Sequence, residues 1–177
     1  DFFLHDGMDV DDCVGKIKAG LKFPVFVKPT NGGSSFGITK VKKAEDLGSA
    51  INFAFTEGSA VIVEEGITGR EFTCAAYISA GELKTLPVIE IITENEYFDY
   101  DAKYNGNSRE VCPAEISDKV RDKVQDATRR IYKYLGCAGI VRMDYIMSGE
   151  ELYFLEVNTI PGMTSASLVP KMVKADG

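Results

Sequence analysis

The sequence predicts an α+β fold built mainly from antiparallel strands. Two pairs of strand segments are each joined by a turn of two or three residues: 71–80 with 82–92, and 140–147 with 152–157. Connections this short can join only antiparallel neighbours. Two further segments, 44–55 and 117–135, repeat apolar residues at steps of three and four, which is the period of an amphipathic helix.

The first seventy residues contain three more strand candidates. Residues 22–28 are rich in β-forming residues, and residues 38–41 can return as a second strand after a glycine- and serine-rich loop. The helix over residues 44–55 is expected to end near Gly58, and a buried strand follows at residues 60–63.

The second half of the chain holds the clearest helix signal. Ser117 can cap a helix that Gly136 ends. Its apolar positions are Val120, Val124, Ala127, Ile131 and Leu135. Residues 93–113 have no clean period, so we predict a long surface loop there, and loops of that length are usually functional.

Composition excludes several classes of function. The 177 residues carry 27 acidic and 20 basic side chains, so a net charge of −7 argues against nucleic-acid binding. With His5 as the one histidine and no CxxC among four cysteines, a serine–histidine hydrolase or a zinc site is not expected. No apolar run reaches the about 20 residues that span a bilayer, and no signal peptide is visible, so we expect no membrane partner and a cytoplasmic location.

Four polar side chains in the last predicted hairpin could form one site. Alternation along a strand places Arg142 and Asp144 on one face, and Glu156 and Asn158 on one face. A turn centred near Gly149 would bring all four to a common surface. Two carboxylates, an amide oxygen and a guanidinium suit a divalent cation beside a phosphate. The alternative is a structural ion pair at a sheet edge.

A second candidate site follows the strand that ends at Lys28. Residues 31–37 contain three glycines with Ser34 and Ser35, which can offer amides and hydroxyls to phosphate oxygens. The lysine precedes the glycines, so this is not a P-loop. A flexible hairpin loop is the alternative.

Two further segments could contact a nucleotide. The strand that ends at Glu64 could expose backbone to an adenine edge, and Glu71 could accept bonds from ribose hydroxyls, although solvated acids at a strand end are the alternative. Lys103 lies among aromatic residues in the long loop and could close over phosphates. A tyrosine-rich loop packed on its own domain is the alternative there.

These segments, in this order, resemble the ATP-grasp superfamily and more closely the D-alanine–D-alanine ligases. The matching motifs are FPVFVKP at 23–29, GSSFG at 33–37, VE at 63–64, GRE at 69–71, FDYDAKY at 98–104, RMD at 142–144 and EVNTIPGMTS at 156–165. The resemblance implies two α/β subdomains with mainly antiparallel sheets that enclose the nucleotide. They would be a central subdomain at residues 1–69 and a carboxy-terminal subdomain at residues 70–177, with a lid at about 93–113.

The resemblance also implies a role for each matching residue. The ATP-binding residues would be Lys28, Ser34, Ser35, Glu64, Glu71 and Lys103. The catalytic residues would be Arg142, Lys103 and Ser34. The substrate-binding residues would be Tyr104, Arg142, Gly162, Ser167 and Leu168. Asp144, Glu156 and Asn158 would hold two Mg²⁺ or Mn²⁺ ions, with Glu156 bridging them.

The activity implied by the resemblance is ATP-dependent ligation of two D-alanines through an acyl phosphate, for peptidoglycan precursors. The motifs of an amino-terminal domain are missing, so this chain alone is expected to be inactive, and the full-length protein to be a homodimer. Two alternatives stay open. One is another ATP-grasp carboxylate–amine ligase, for example one that makes D-Ala-D-Ser, and the other is a nucleotide-binding fragment without activity.

Overall fold

The computed structural model describes residues 1–31, 36–93 and 108–177. The chain divides into two compact units. Among the described residues, the first unit comprises 1–67 and the second comprises 68–93 and 108–177. No helix in these described ranges is long and apolar enough to cross a membrane.

The first unit is a four-stranded antiparallel sheet packed against helices. Its elements are β1 (Phe2–His5), α1 (Val10–Gly20), β2 (Val25–Pro29), β3 (Thr39–Val41), α2 (Leu47–Glu57) and β4 (Ala60–Glu65), with a 3₁₀ turn at Ala44–Asp46. Along the sheet the described strands follow the order β1-β4-β2-β3. Val25, Val27, Val61 and Val63 alternate along β2 and β4 and are fully buried with Ile51 of α2, so one face of this sheet forms the core.

The second unit is a larger antiparallel sheet with a helix on one face. Its elements are β5 (Arg70–Ser79), β6 (Glu82–Thr85), β7 (Ile89–Thr93), β8 (Ser108–Val111), α3 (Asp118–Tyr134), β9 (Val141–Ser148), β10 (Glu151–Asn158) and α4 (Leu168–Asp176). The order of the described strands is β10-β9-β5-β7-β8, and β6 also pairs with β5. Phe72, Cys74, Met143 and Tyr145 point to one face and are buried in one cluster with Val124 of α3. The residues that lie between these core residues along β5 and β9 therefore point to the opposite face of the sheet.

The predicted α+β class and its strongest helix are confirmed. Helix α3 begins after Ser117, whose hydroxyl accepts a hydrogen bond from the backbone amide of Val120 at 3.4 Å. Gly136 follows its end with a φ of 61°, a left-handed conformation that glycine adopts without strain. Local signals at both ends were sufficient to place this helix.

The prediction of one strand over residues 82–92 is wrong. The segment forms β6 and β7, and both pair with β5: Ala76 lies opposite Thr85, and Thr73 opposite Ile89. The three residues between β6 and β7, 86–88, thus lie opposite only two residues of β5, 74 and 75. Pro87 lies in this irregular stretch, where its missing N–H removes no ladder hydrogen bond.

The predicted loop over residues 93–113 is also wrong in part. Residues 108–111 form β8, which pairs with β7 so that Thr93 lies opposite Ser108. The remaining predicted lid residues, 94–107, lie outside the described residues.

Besides β8, three elements were not predicted: β1, α1 and α4. Helix α1 has a recognisable start, because the Asp9 carboxylate accepts hydrogen bonds from the amides of Asp11 and Asp12. Its apolar side is short, with Cys13 and Ile17 as its buried residues, so the periodic signal is weak.

Candidate functional site

The hairpin of β9 and β10 presents the polar side chains, although not for the predicted reason. Its turn has two residues, Gly149 and Glu150, because Ser148 pairs with Glu151. Continued without a break, this register would place Leu155 opposite Asp144, and Glu156 and Asn158 would then point to the core face. The expectation of a turn centred at Gly149 is therefore wrong.

A β-bulge at Leu155 restores the convergence. Phe154 lies opposite Tyr145, but the next pair is Glu156 opposite Asp144, so the residue between them has no partner. A bulge inserts one residue and resets the alternation of all residues beyond it. Asn158 consequently lies opposite Arg142.

We call the resulting group of five side chains the carboxylate cluster: Thr73, Arg142, Asp144, Glu156 and Asn158. Arg142 donates from Nε to Oδ1 and from Nη2 to Oδ2 of Asp144, both at 2.9 Å. The Asn158 amide donates to Asp144 Oδ2 at 3.1 Å and to Glu156 Oε1 at 3.2 Å. Thr73 donates to Asp144 Oδ1 at 2.6 Å. Asp144 is therefore the centre of the cluster.

The charges of the cluster do not balance. Two carboxylates face one guanidinium, and the Arg142 and Asp144 side chains are 18% and 22% exposed, so water screens them only in part. Burial lowers the pKa of Arg142, but the hydrogen bond and the charge of Asp144 raise it by more, so its pKa lies above the ordinary value. Arg142 thus remains a cation, and one carboxylate has no cationic partner within the cluster.

The donor chemistry of the cluster fits a hard divalent cation. Among the described residues, no three His, Cys, Asp or Glu side chains group together as a metal site. The Asn158 side chain can supply a third oxygen ligand beside the two carboxylates. The Asn158 amide nitrogen donates to both carboxylates, which is the position between two negative charges that a cation would take. A half-turn of the amide presents Oδ1 instead, because Asn carries a donor and an acceptor end.

Strand β5 adds two residues to the same face. Thr73 lies directly opposite Asp144, and Glu71 lies opposite Ile146, two positions further along β9. Directly paired residues of adjacent strands share a face, so Glu71 and Thr73 point to the side of the carboxylate cluster. Sequence reasoning missed Thr73, because only the pairing of β5 with β9 reveals it.

Two other predicted nucleotide-binding residues lie together in the first unit. Lys28 on β2 and Glu64 on β4 form an ion pair at 2.5 Å, with side chains 26% and 22% exposed. Their strands are adjacent and antiparallel, with Phe26 opposite Glu64. The lysine is therefore positioned by a carboxylate, a contact that the sequence analysis did not predict.

Three of the residues predicted to bind the second substrate, Gly162, Ser167 and Leu168, lie at or just before the start of α4. The Ser167 hydroxyl accepts from the Thr164 amide at 3.1 Å and lies 2.9 Å from the Thr164 hydroxyl. A Cβ at Gly162 would lie 2.8 Å from Ser167 Oγ, so any larger residue there would require the Ser167 side chain to shift. Leu168 is the first residue of α4. Ser34, Ser35, Lys103 and Tyr104 lie outside the described residues.

Residues 3–177 match the family model described as D-ala D-ala ligase C-terminus. The chain belongs to this family. The match extends over nearly the whole chain and includes every residue of the carboxylate cluster, so the resemblance seen in the sequence motifs is confirmed.

Curated relatives in this family are close in sequence but longer. The chain is 47% identical over 175 residues to the D-alanine–D-alanine ligase of Bacteroides fragilis, and the alignment covers 98% of this chain and 53% of the relative. It is 48% identical over 175 residues to that of Parabacteroides distasonis, with coverage of 98% and 52%. The chain thus spans about half the length of the curated relatives it matches.

Solved structures give the same assignment. The VanG D-Ala:D-Ser ligase from Enterococcus faecalis aligns with a TM-score of 0.87 at 41% identity, covering 99% of this chain and 51% of that one. The D-alanyl-alanine synthetase A of Vibrio cholerae aligns with a TM-score of 0.83 at 30% identity, covering 99% and 54%. These matches confirm the predicted ATP-grasp fold class.

Proposed function

We propose that this chain carries the ATP- and cation-binding part of an ATP-dependent, ADP-forming D-alanine–D-alanine ligase that acts in the cytoplasm on peptidoglycan precursors. The observation that carries the proposal is the carboxylate cluster in a member of this family. A guanidinium beside two carboxylates and an amide suits a reaction in which negative charge develops on phosphoryl and carbonyl oxygens. The two subdomains would span residues 1–69 and 70–177, and the whole protein would be a homodimer.

Asp144, Glu156 and Asn158 would hold two Mg²⁺ or Mn²⁺ ions. When bound, such ions neutralise negative charge on phosphate oxygens. Arg142 would then donate to the oxygens of the transferred phosphoryl group. An arginine is charged throughout the neutral range, and the two hydrogen bonds to Asp144 hold its guanidinium within the cluster.

The remaining residues would bind the nucleotide and the second amino acid. Lys28 would contact phosphate oxygens, and its ion pair with Glu64 supports a fixed position for its ammonium group. The other proposed ATP ligands are Glu64, Glu71, Ser34, Ser35 and Lys103. The proposed ligands of the second D-alanine are Tyr104, Arg142, Gly162, Ser167 and Leu168.

The proposed reaction has two steps and needs no histidine base. A carboxylate oxygen of the first D-alanine attacks the γ-phosphorus of ATP, and ADP leaves with the bonding electron pair. The amine of the second D-alanine then attacks the carbonyl carbon of the acyl phosphate, phosphate leaves, and the amine releases a proton. Fixed positive charge stabilises both steps, which is consistent with a chain whose one histidine, His5, lies on the first-unit strand β1.

Substrate-dependent ADP release tests the proposal. The 177-residue chain is assayed alone, and also as a hybrid in which it replaces the matching residues of the Bacteroides fragilis ligase, with D-alanine, D-serine and L-alanine as amino acids. We expect the hybrid to release ADP and form D-alanyl-D-alanine when D-alanine is supplied, and not with D-serine or L-alanine. We expect the isolated chain to bind ATP but to ligate poorly or not at all. A product dipeptide that contains D-serine would show that D-serine, and not D-alanine, is the second substrate. A hybrid that releases no ADP in response to D-amino acids would refute the proposal.

The cation site is tested in the same hybrid. Glu156→Gln removes a proposed ligand and should reduce turnover by at least about a hundredfold, since charge stabilisation contributes several kcal/mol. Glu151→Gln makes the same change at an exposed position of the same strand and should leave turnover unchanged. Equal turnover in the two variants would contradict the assignment of Glu156.

A further inference from the structure

We propose that Thr73 is a positioning residue, whose hydroxyl holds one oxygen of Asp144 so that the other oxygen faces the cation. This inference rests on the proposed function of the carboxylate cluster. It concerns a side chain on β5 that no sequence motif singled out, and it assigns to this residue a role in cation affinity and not in the chemical step.

The hydrogen bond from Thr73 to Asp144 is short and partly buried. Thr73 is 1% exposed, and its Oγ1 lies 2.6 Å from Asp144 Oδ1 and 3.2 Å from the carbonyl oxygen of Met143. A hydroxyl has one proton to donate, and the distance to Oδ1 is in the range of a charge-assisted O–H···O⁻ bond. The carboxylate is therefore the acceptor of that proton.

The two oxygens of Asp144 have different partners. Oδ1 accepts from Thr73 and from Arg142 Nε, whereas Oδ2 accepts from Arg142 Nη2 and from the Asn158 amide. The Asn158 amide also donates to Glu156, so Oδ2 is the oxygen that faces the second carboxylate. Thr73 thus holds the oxygen that points away from the proposed cation position.

This anchor persists when the other contacts change. A carboxylate rotates about a broad, roughly two-fold torsion, so its orientation must come from its partners. Asn158 has to turn its amide to present an oxygen to a cation, and Arg142 is proposed to donate to phosphoryl oxygens. Thr73 is buried on the neighbouring strand and branched at Cβ, so its side chain has little freedom to leave Asp144.

The test measures Mn²⁺ affinity of the 177-residue chain by the electron paramagnetic resonance signal of free Mn²⁺, with saturating ADP. Thr73→Val has nearly the same shape without the hydroxyl, and Thr73→Ser keeps the hydroxyl. We expect Thr73→Val to weaken Mn²⁺ binding by about 10- to 100-fold, as for other residues that orient metal ligands, and Thr73→Ser to stay within about threefold of the unmodified chain. Thr73→Ala is measured in parallel, so that misfolding of the valine variant cannot decide the result.

Thr128→Val is the matched control. Thr128 is fully buried in α3, and its hydroxyl bonds to the Val124 carbonyl and the Tyr145 hydroxyl, on the core face of the sheet. It should lower thermal stability and leave Mn²⁺ affinity unchanged. Equal effects of the two valine variants on affinity, or normal affinity in both Thr73→Val and Thr73→Ala, would overturn the inference.

Asp144→Asn separates this inference from the proposed function. Loss of Mn²⁺ binding in Asp144→Asn with normal binding in Thr73→Val would leave the cation site in place and refute the role of Thr73. An unmodified chain that does not bind Mn²⁺, or an Asp144→Asn variant that binds it normally, would overturn both the cation site and the positioning role.

Discussion

Single-residue deletions in β10 test whether the bulge brings the cation ligands together. Leu155 is the unpaired residue of the bulge, between Phe154 and Glu156. Without it, Glu156 follows Phe154 directly in a regular strand and still lies opposite Asp144. We therefore expect the Leu155 deletion to keep the carboxylate cluster and its cation affinity.

Deletion of Val157 shortens the chain by the same length but has the opposite consequence. Asn158 then takes the position opposite Met143, whose side chain is buried on the core face. A shift by one residue moves the side chain to the other face of the strand. Both hydrogen bonds of Asn158, at 3.1 and 3.2 Å, would be lost, together with one of three proposed ligands.

The two deletions should differ by at least about tenfold in Mn²⁺ affinity. Loss of an orienting partner of a metal site typically costs about 10- to 100-fold, or about 1.4 to 2.8 kcal/mol, and loss of a ligand costs no less. The assay is the Mn²⁺ titration described above, with far-UV circular dichroism to verify folding. Both variants lack one residue of β10, so an equal loss of affinity in the two variants would refute the register argument.

Two further predictions concern the second unit. Burial raises the pKa of the Cys74 thiol from 9.0 to about 12. As pH rises, the unfolded chain therefore loses this proton before the folded chain does. The free energy of unfolding should fall above about pH 9, by up to about 1.4 kcal/mol per pH unit. Urea denaturation at about pH 8 and pH 10 under reducing conditions should show this loss of stability, and Cys74→Ala should lack it. An equal change in the free energy of unfolding between the two pH values in both proteins would contradict the assignment to Cys74. Arg70 donates to Glu90 at 2.6 and 2.8 Å, and Glu90 is 8% exposed, so Arg70→Met should cost about 2 to 3 kcal/mol, less than a fully buried pair because Arg70 is half exposed. Hydrogen exchange of β5 amides measures this cost, and Glu90→Gln, which leaves no buried charge, should cost less; the reverse order would refute the explanation.

Much of the fold could be predicted because its signals are local. Ser117 and Gly136 mark the two ends of α3, and the pattern between them has one period. The edges of β2 and β9 were likewise placed within a few residues. Where a strand breaks, as at Pro87 between β6 and β7, the local pattern still reads as continuous, because both parts pair with the same partner.

The candidate site could be predicted only in outline. The alternation within each strand placed Arg142 with Asp144, and Glu156 with Asn158, but it could not join the two pairs correctly. The turn of two residues and the unpaired Leu155 each shift the register by one position, and the total shift of two positions returns Glu156 and Asn158 to the predicted face. The convergence was predicted for a reason that the structure contradicts.

The sequence by itself determined the family, the antiparallel α+β class and the residue types available for chemistry, because motifs, helix caps and strand alternation depend on neighbours along the chain. Only the tertiary structure decided which of these residues touch. Thr73 reaches Asp144 across 71 positions of sequence, because β5 pairs with β9 in a register set by long-range packing. A hydrogen bond of this kind depends on strand pairing, and a single sequence carries no local record of it.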